Sequence, residues 1–586
     1  MTTQIHLSRP SRFSAFKTII LCLLAGLSLP TMLYADWDGG VKKPSTIEKN
    51  GRTFYEIESA ENLAWFMMQV NKGNTGYNAV LKKDISIVDS AVTGKSVKWT
   101  PIGDADSVSY KGVFDGDGHT ISGVYSNAKY AGFFGFIGPG AVIKNLNLQN
   151  VLAQSYFGVT SRAGLLSSMF SGDSVINVSV AGTVSDTTYA GGLAAIIKSK
   201  AYINGFRGDV YFVGKAKKYN EYIVYSEKQV AGGVAALVMD SVKILNSHVS
   251  GLADSSEIRG MVGGFIGIDS AYAYFENDTN NVNIRLNDSP ADLGGFVMRV
   301  APSATADFVS CLNRGNIQGS QSYVGGFVGY SKGNLSFYNS VNEGEIKHPG
   351  SITSSHFAGG FIGCMSANGQ VSIDHSFNMG NIYSAYEAGG FVGLAIARLT
   401  ITDSENAGTI DGKTAAGGFV GYASADSSLI IDYSRNVGTI VGRYTGGFIG
   451  EAWDTIIIDH SVNAGEIAGT GEHIAGFIAQ VSGKTAKVDV RNSTNMGKII
   501  TDGGADVGGI FGTCSNCTAT NCENYGEIIL DGKDNSKTAN VGGILGNWGS
   551  AINCRNYGNI TIDSVGSPTV GGIAGLGTVQ GCVNKG

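Results

Sequence analysis

The chain has 586 residues, of which 85 are glycine and only 9 are proline, and 15% of its residues are charged. Collagen is excluded because a Gly-X-Y period rich in proline is missing, and disorder is excluded because 43% of the residues are hydrophobic. The formal net charge of −6 leaves no basic surface for nucleic acid or an acidic membrane. We therefore expect a folded protein with no nucleic-acid partner.

The N-terminus is typical of a secretory signal peptide over residues 1–35. Basic residues precede an apolar run, 18–29, that is too short to cross a bilayer. Ala35 provides a cleavage site before Asp36. No later stretch reaches the roughly 20 apolar residues of a membrane-spanning helix. We therefore expect an exported protein, extracellular or at the cell surface, whose mature chain does not insert into the membrane.

Residues 36–105 lack the repeat described below and predict a small α+β cap. Ser59 is placed to begin a helix. Apolar residues then follow at helical spacing: Leu63, Phe66, Met67 and Val70. Short strands are predicted at 79–81 and 85–87. A helix in front of a repeat array is expected to cover the open first coil, which begins near Gly112.

Two short elements recur about every 31 residues over 106–586. The first is Gly-Gly followed by an aromatic or aliphatic residue, whose phenylalanines are Phe265, Phe296, Phe327, Phe361, Phe391, Phe419, Phe448 and Phe477. The column continues as Ile510, Ile544 and Ile573. The second element is Ser/Cys-x-Asn-x-Gly-x-Ile, whose asparagines are Asn313, Asn342, Asn378, Asn406, Asn436, Asn463, Asn495, Asn524, Asn556 and Asn584.

This pattern predicts an all-β fold, a parallel β-solenoid of about 15 coils. Offsets of two residues within the second element are strand periodicity, and the spacers vary while the elements stay fixed, as in stacked repeats. Crossover chirality favours a right-handed coil. The phenylalanines are expected to stack inside the solenoid, and the asparagine amides to bond from coil to coil. The glycines are expected at corners with positive φ.

The chain stops at Gly586, in the middle of a repeat. A finished solenoid closes with a polar cap, so we expect a chain cut short at its C-terminus. Nothing in the sequence calls for a partner subunit, and we expect a monomer.

Several segments together resemble bacterial surface proteins that carry GLUG repeats. They are Tyr55-Glu56-Ile57, Ala60–Phe66, Asp84-Ile85, Trp99–Gly103, Phe114–Ile121 and the repeated Gly-Gly-Phe-Val-Gly. Such repeats also flank the catalytic domain of immunoglobulin A1 metalloproteases. The resemblance implies a surface-exposed β-helix with an adhesive or scaffolding role, and it supplies no catalytic residue.

Candidate sites are few. A zinc protease would need His-Glu-x-x-His, which none of the eight histidines provides. Asp115, Asp117 and His119 form the one local cluster suited to calcium, although Asp-Gly is also ordinary turn chemistry. No other cofactor is expected.

One column of titratable residues stands three positions before the ladder asparagine: His375, Asp403, Tyr433 and His460. In stacked coils these side chains would be neighbours at about 4.8 Å. They are able to bind a ligand or a metal, and the alternative is a corner that tolerates many residues.

Cys514 and Cys517 form a C-x-x-C on a presumed loop. In an exported protein a local disulfide is favoured over zinc, because no second C-x-x-C completes a metal site. Cys311, Cys522, Cys554 and Cys582 share the Ser/Cys column and are expected to be small buried residues.

Three functions remain open. The first is a non-catalytic adhesin or scaffold that binds an extracellular glycan or a host or matrix protein, with long loops such as Lys215–Gln229 and Asp531–Asn540 as contact regions. The second is a polysaccharide-acting lyase or hydrolase, and the third is a non-catalytic flanking segment of a larger surface protease. Two carboxylates and a basic residue meeting in one outer groove would favour the polysaccharide-acting enzyme.

Overall fold

The structure is a computed structural model that describes residues 39–586 apart from 88–97, 156–159, 187, 214–216, 220–221, 225–228, 255–259, 287–291, 321–322, 350–355, 367–368, 425–427, 484–485, 503–505, 532–538 and 564–566. The signal peptide predicted over residues 1–35 lies outside these ranges. Within them, no helix is both long enough and apolar enough to cross a bilayer.

The predicted fold is confirmed: the chain forms a parallel β-solenoid with three sheets that run along its length. Equivalent residues pair from coil to coil, as in Ile382 with Ile410 and Ile410 with Ile440. Sheet C has 14 strands, close to the 15 coils expected.

Sheet A consists of 19 strands: Thr46–Lys49, Arg52–Ile57, Asn78–Leu81, Val113–Asp115, Val142–Lys144, Ser174–Ile176, Ala201–Asn204, Val242–Leu245, Tyr272–Glu276, Thr305–Val309, Asn334–Tyr338, Gln370–Asp374, Arg398–Thr402, Ser428–Asp432, Thr455–Asp459, Val488–Arg491, Cys517–Thr520, Ser550–Ile552 and Thr578–Gln580.

Sheet B consists of 39 short strands: Ile85–Ser86, Thr120–Ser122, Tyr125–Asn127, Tyr130–Ala131, Asn147–Ser155, Arg162–Gly164, Ser179–Asp186, Tyr189–Gly191, Arg207–Phe212, Gln229–Gly232, His248–Asp254, Gly260–Gly263, Thr279–Leu286, Leu293–Gly294, Leu312–Asn313, Ile317–Gly319, Tyr323–Gly325, Val341–Asn342, Ile346–His348, Phe357–Gly359, Phe377–Asn378, Ile382–Ser384, Glu387–Gly389, Glu405–Asn406, Ile410–Gly417, Arg435–Asn436, Ile440–Gly446, Val462–Asn463, Ile467–Ala475, Thr494–Asn495, Ile499–Thr501, Asp506–Gly508, Glu523–Asn524, Ile528–Asp531, Asn540–Gly542, Arg555–Asn556, Ile560–Asp563, Thr569–Gly571 and Val583–Asn584.

Sheet C consists of Phe134–Ile137, Ser167–Phe170, Ala194–Ile197, Ala235–Val238, Ile266–Asp269, Val297–Val300, Val328–Ser331, Ile362–Met365, Val392–Ala395, Val420–Ala423, Ile449–Ala452, Ile478–Val481, Phe511–Cys514 and Leu545–Asn547. Outside these sheets, Lys217–Tyr219 pairs antiparallel with Tyr222–Val224, and Asp106–Val108 forms a single 3₁₀ turn.

The predicted N-terminal helix is confirmed as Ala60–Asn71. The Ser59 hydroxyl accepts a hydrogen bond from the backbone nitrogen of Asn62 at 3.4 Å, which caps the first turn. The Phe66 ring is buried 6.1 Å from the ring of Phe114, so the helix covers the first coil. Strand Asn78–Leu81 pairs with Val113–Asp115, so sheet A continues unbroken across residue 105.

The predicted phenylalanine column is confirmed. Successive rings from Phe265 to Phe477 lie 4.7–5.0 Å apart and nearly parallel. A second column, missed in the sequence, stands beside it on the inner face of sheet A: Phe275, Phe308 and Phe337 stack at 4.7–4.9 Å. The two columns meet edge to face, as Phe296 does with Phe308 at 5.7 Å, which is a favoured ring geometry.

The asparagine ladder is confirmed as well, and it starts one coil earlier, at Asn280. Each side-chain nitrogen donates to the amide oxygen of the asparagine in the next coil at 2.7–2.8 Å. The same nitrogen donates to the carbonyl of the glycine two residues on, as Asn436 does to Gly438 at 3.1 Å. These buried amides are therefore bonded both along the stack and within the coil.

The expected role of the repeat glycines is wrong. Among the described residues, the glycines that follow the ladder asparagines do not have left-handed φ. They are needed because backbones touch: a Cβ on Gly438 would stand 2.0 Å from the carbonyl oxygen of Gly408. Among the described residues other than glycine, ten of the seventeen with left-handed φ are asparagine, which tolerates positive φ because its short side chain bonds locally.

Candidate functional site

A groove of about 790 Å³ opens on the outer surface where sheet C meets the neighbouring strands of sheet B. Its walls carry six aromatic side chains: Tyr323, Phe357, Tyr386, Tyr422, Tyr444 and Trp453. Glu387, Glu451 and Arg443 also line it. Aromatic walls with a few polar groups are typical of ligand sites.

Two outward-facing columns build the groove. The first is Tyr323, Phe357, Glu387, Ala415 and Tyr444, each two residues before a Gly-Gly element and paired from coil to coil. The second is Tyr330, Cys364, Leu394, Tyr422 and Glu451, on sheet C. Successive side chains of a strand point to opposite faces of a sheet. The side chains of both columns point outward because their neighbours along each strand face the core.

The aromatic rings pack against one another at one end of the groove. The rings of Tyr323 and Tyr330 stack at 5.2 Å, and the ring of Phe357 meets that of Tyr386 edge to face at 6.0 Å. In the first column, Ala415 is the small residue between Glu387 and Tyr444. The aromatic wall is therefore interrupted over two successive levels, those of Glu387 and Ala415.

Glu387 is a buried acid in this wall. It is 3% exposed, and its Oε2 has no hydrogen-bond partner among the described residues. Burial, followed by the charge of Glu451, raises the pKa of Glu387 well above its ordinary value of 4.5. Burial therefore favours the protonated form of this side chain, and a protonated carboxyl group is able to donate a hydrogen bond.

Glu451 stands one level further along the groove and is held in place. The indole Nε1 of Trp453 donates to its Oε1 at 2.8 Å, and the hydroxyl of Ser482 donates to the same atom at 3.3 Å. A Cβ on the preceding Gly450 would lie 3.0 Å from the Cβ of Ala415. Since Ala415 is the ladder partner of Glu387, the two acids are diagonal neighbours, about one 4.8 Å step apart along the axis.

Three polar side chains, those of Tyr422, Arg443 and Tyr444, stand near the two acids. Burial, and then the charges of Glu451 and Glu387, raises the pKa of Tyr422 to about 12, so its hydroxyl stays protonated. Arg443 is not available to the acids, because it forms an ion pair and hydrogen bond with Glu472. The Tyr444 hydroxyl donates to the same Glu472 at 3.3 Å.

We expect Glu387→Gln to stabilise the protein at neutral and alkaline pH. The raised pKa means that the folded state holds the proton more tightly than the unfolded chain, so the contribution of Glu387 to stability falls as pH rises above about 4.5. Glutamine removes this loss, on the order of 1 kcal/mol for a buried unpaired group. Urea unfolding should show a higher free energy of unfolding for Glu387→Gln than for the wild type at pH 8, and equal values at pH 4. The same difference at both pH values would contradict the raised pKa of Glu387.

The calcium candidate is not assembled as a ligand set. Asp115 is 2% exposed and contacts Lys144 at 3.1 Å and Lys49 at 3.4 Å. Burial raises its pKa, but hydrogen bonds from Asn145 and Lys144 outweigh burial and leave the pKa below its ordinary value. His119 instead faces Asp84, with 3.2 Å between Nδ1 and Oδ1, and Asp117 is exposed at a turn with φ of 51°.

The column of His375, Asp403, Tyr433 and His460 faces solvent at a corner with left-handed φ of 45–48°. The Tyr433 and His460 rings stack at 4.8 Å, the predicted spacing. Ligand atoms of Asp374, His375 and Asp403 lie within 4.8 Å of one another. The Nδ1 atom of His375 lies 2.8 Å from Oδ1 of Asp374, so these two side chains already interact with each other.

Cys514 and Cys517 are joined in a disulfide, with 5.9 Å between their Cα atoms. Cys311, Cys522 and Cys554 are buried free thiols, and Cys582 is a partly buried one. The two loops expected to bind ligand lie largely outside the described residues: 214–216, 220–221, 225–228 and 532–538 are not described.

The groove itself was missed in the sequence. Its first column stands at a fixed place in the repeat, two residues before Gly-Gly, where Tyr323, Phe357, Glu387 and Tyr444 occur. Comparing that position from coil to coil would have shown a run of aromatic residues with one acid. Two carboxyl groups and a basic side chain, the set expected above to favour a polysaccharide-acting enzyme, do line this groove, although Arg443 is bound to Glu472.

Comparison with known proteins gives limited matches. No family model matches the chain. It is 28% identical over 142 residues to halomucin from Haloquadratum walsbyi, a match that covers 24% of this chain and spans only 2% of halomucin. Among solved structures, it is similar to a chain described as a "putative immunoglobulin A1 protease from Bacteroides ovatus". That match has 18% identity and a TM-score of 0.33, and it covers 56% of this chain and 84% of the other.

Proposed function

We propose that the chain is an exported, surface-exposed β-solenoid of the GLUG-repeat kind that binds a glycan in the outer aromatic groove. The single observation that carries the proposal is the groove, in which six aromatic side chains line a cavity of about 790 Å³ together with hydroxyl and carboxyl groups. The signal-like N-terminus and the repeat support an extracellular location.

A glycan suits this surface better than a peptide. A pyranose has an apolar C–H face and a rim of hydroxyls, and tyrosine and tryptophan offer an apolar ring with a polar atom at its edge. Hydroxyls of Ser424 and Ser482 and the amide of Gln480 lie along the same groove. The groove also runs along the stack of coils, so that each sugar ring has a new level of side chains to contact.

We expect Tyr422→Ala to weaken glycan binding at least tenfold, because the ring lines the groove. The mature chain should be screened against immobilised glycans and matrix proteins, and each hit titrated by calorimetry. Tyr211→Ala is the matched control, since Tyr211 is 49% exposed on sheet B, away from the groove. Tyr211→Ala should bind like the wild type. Unchanged binding by Tyr422→Ala, or binding to matrix proteins and to no glycan, would contradict the proposal.

The pair Glu387 and Glu451 favours polysaccharide cleavage as a second candidate function. An inverting hydrolase needs an acid and a base carboxylate roughly 6.5–9.5 Å apart, and a raised pKa suits the acid. Chromatography of a bound oligosaccharide after prolonged incubation separates the two functions. A binding protein returns the oligosaccharide intact, whereas an enzyme shortens it and loses that activity in both Glu387→Gln and Glu451→Gln.

A further inference from the structure

Among the described residues, Glu387 carries a polar atom with no partner, and it stands between two apolar side chains. Its ladder neighbours are Phe357 and Ala415, and its Oε2 lacks a hydrogen-bond partner within the described part of the chain. Leaving a buried polar atom unpaired is unfavourable, because the atom has lost its water partners and gained none. Because Glu387 also lines the groove, a bound molecule is able to supply the missing partner.

Access to Glu387 is set by its neighbours. A Cβ on Gly421 would lie 2.9 Å from the backbone of Ala388, which places the next residue, Tyr422, level with Glu387. On the following level, the small side chain of Ala415 leaves room that a phenylalanine would fill. The acid is therefore reached from the groove between Tyr422 and the Ala415 level.

The charges along the groove are unbalanced. Glu451 lines it with no cation among its described partners, since both of its hydrogen bonds come from Trp453 and Ser482. Arg443 is the one cationic side chain among the described lining residues, and Glu472 binds it. An acidic ligand would thus meet a carboxylate in a partly desolvated site and no unpaired cation among the described lining residues, which is unfavourable.

We propose that the groove selects uncharged glycan chains over acidic ones, with the Glu387 carboxyl group as its polar contact to the sugar and the charge of Glu451, which no described cation offsets, disfavouring acidic chains. The inference rests on the proposed glycan binding and adds the class of glycan. The carboxyl hydrogen is donated to a hydroxyl or ring oxygen of the sugar, and the Tyr422 hydroxyl completes the polar edge. Burial raises the pKa of Glu387 and so favours the protonated donor form, and the donor is lost as pH rises through that pKa.

The test is calorimetric titration with two sets of hexasaccharides. The uncharged set is cellohexaose, laminarihexaose, mannohexaose and chitohexaose, and the acidic set is hexagalacturonate and hexamannuronate. We expect at least one uncharged hexasaccharide to bind at pH 7 and each acidic one to bind at least tenfold more weakly. Equal or tighter binding of an acidic hexasaccharide would overturn the inference.

Two variants test whether Glu387 is the side chain that contacts the uncharged hexasaccharide. Glu387→Gln keeps a donor and should bind the uncharged hexasaccharide within about threefold of the wild type, with no loss as pH is raised to 9. Glu387→Met removes the donor and should lose at least tenfold, while its urea midpoint shows that it still folds. Full binding by Glu387→Met, with Tyr422→Ala still impaired, refutes the role of Glu387 alone. Failure of every hexasaccharide to bind the wild type refutes glycan binding itself.

Discussion

We expect Asn436→Ala to lower the free energy of unfolding by about 4 kcal/mol. The Asn436 amide is fully buried, donates to Asn463 at 2.8 Å and to Gly438 at 3.1 Å, and accepts from Asn406 at 2.8 Å. Alanine removes all three bonds, so one N–H of the Asn406 amide, the amide oxygen of Asn463 and the carbonyl of Gly438 each lose a buried partner, at about 1–3 kcal/mol each. Urea unfolding followed by circular dichroism measures the loss.

Asn559→Ala is the control for this variant, because Asn559 is an exposed asparagine outside the ladder. We expect its free energy of unfolding to change by no more than about 0.5 kcal/mol. Hydrogen exchange should place the damage of Asn436→Ala in the coils on either side, since each coil contacts only its neighbours. An unchanged unfolding midpoint would show that the ladder does not hold the coils together.

The second large effect is expected for Gly438→Ala, at about 3 kcal/mol. The added Cβ would stand 2.0 Å from the carbonyl oxygen of Gly408 and 2.8 Å from the amide nitrogen of Asn406. The first of these atoms is backbone and is fixed by the stack, so the two coils must separate. Thermal or urea unfolding of the variant against wild type measures the cost.

Gly76→Ala is the matched control, because a Cβ there meets nothing within 4 Å and Gly76 is exposed. We expect that variant to unfold like the wild type. If Gly438→Ala were equally harmless, the close backbone contact between coils would be wrong, and the abundance of glycine in the repeat would need another cause.

The inner columns were predictable because their chemistry repeats. Phe419 and Asn436 each have the same residue type one coil before and one coil after, and an identical neighbour at 4.8 Å leaves few arrangements besides a stack or a ladder. Positive φ was assigned to the wrong residue. Sequence shows that a corner exists between Ile431 and Asn436 but not which residue turns, and the turn is made at Tyr433, with φ of 47°.

The groove was not predictable in the same way. Its acids lie in different elements, Glu387 before one Gly-Gly pair and Glu451 after another, more than sixty positions later. They become neighbours only through the offset between sheets B and C, which depends on how Gly450 packs against Ala415. Outer positions also vary from coil to coil, because solvent accepts many side chains where the core accepts few.

The most direct test of glycan binding in the groove is a crystal structure of the chain with a bound uncharged hexasaccharide. We expect sugar rings packed on Tyr422 and Trp453, and a glycan oxygen within 3.2 Å of the Glu387 carboxyl group. A hexasaccharide bound on sheet A, or along the corner of Tyr433 and His460, with the groove filled by water alone, would contradict the account.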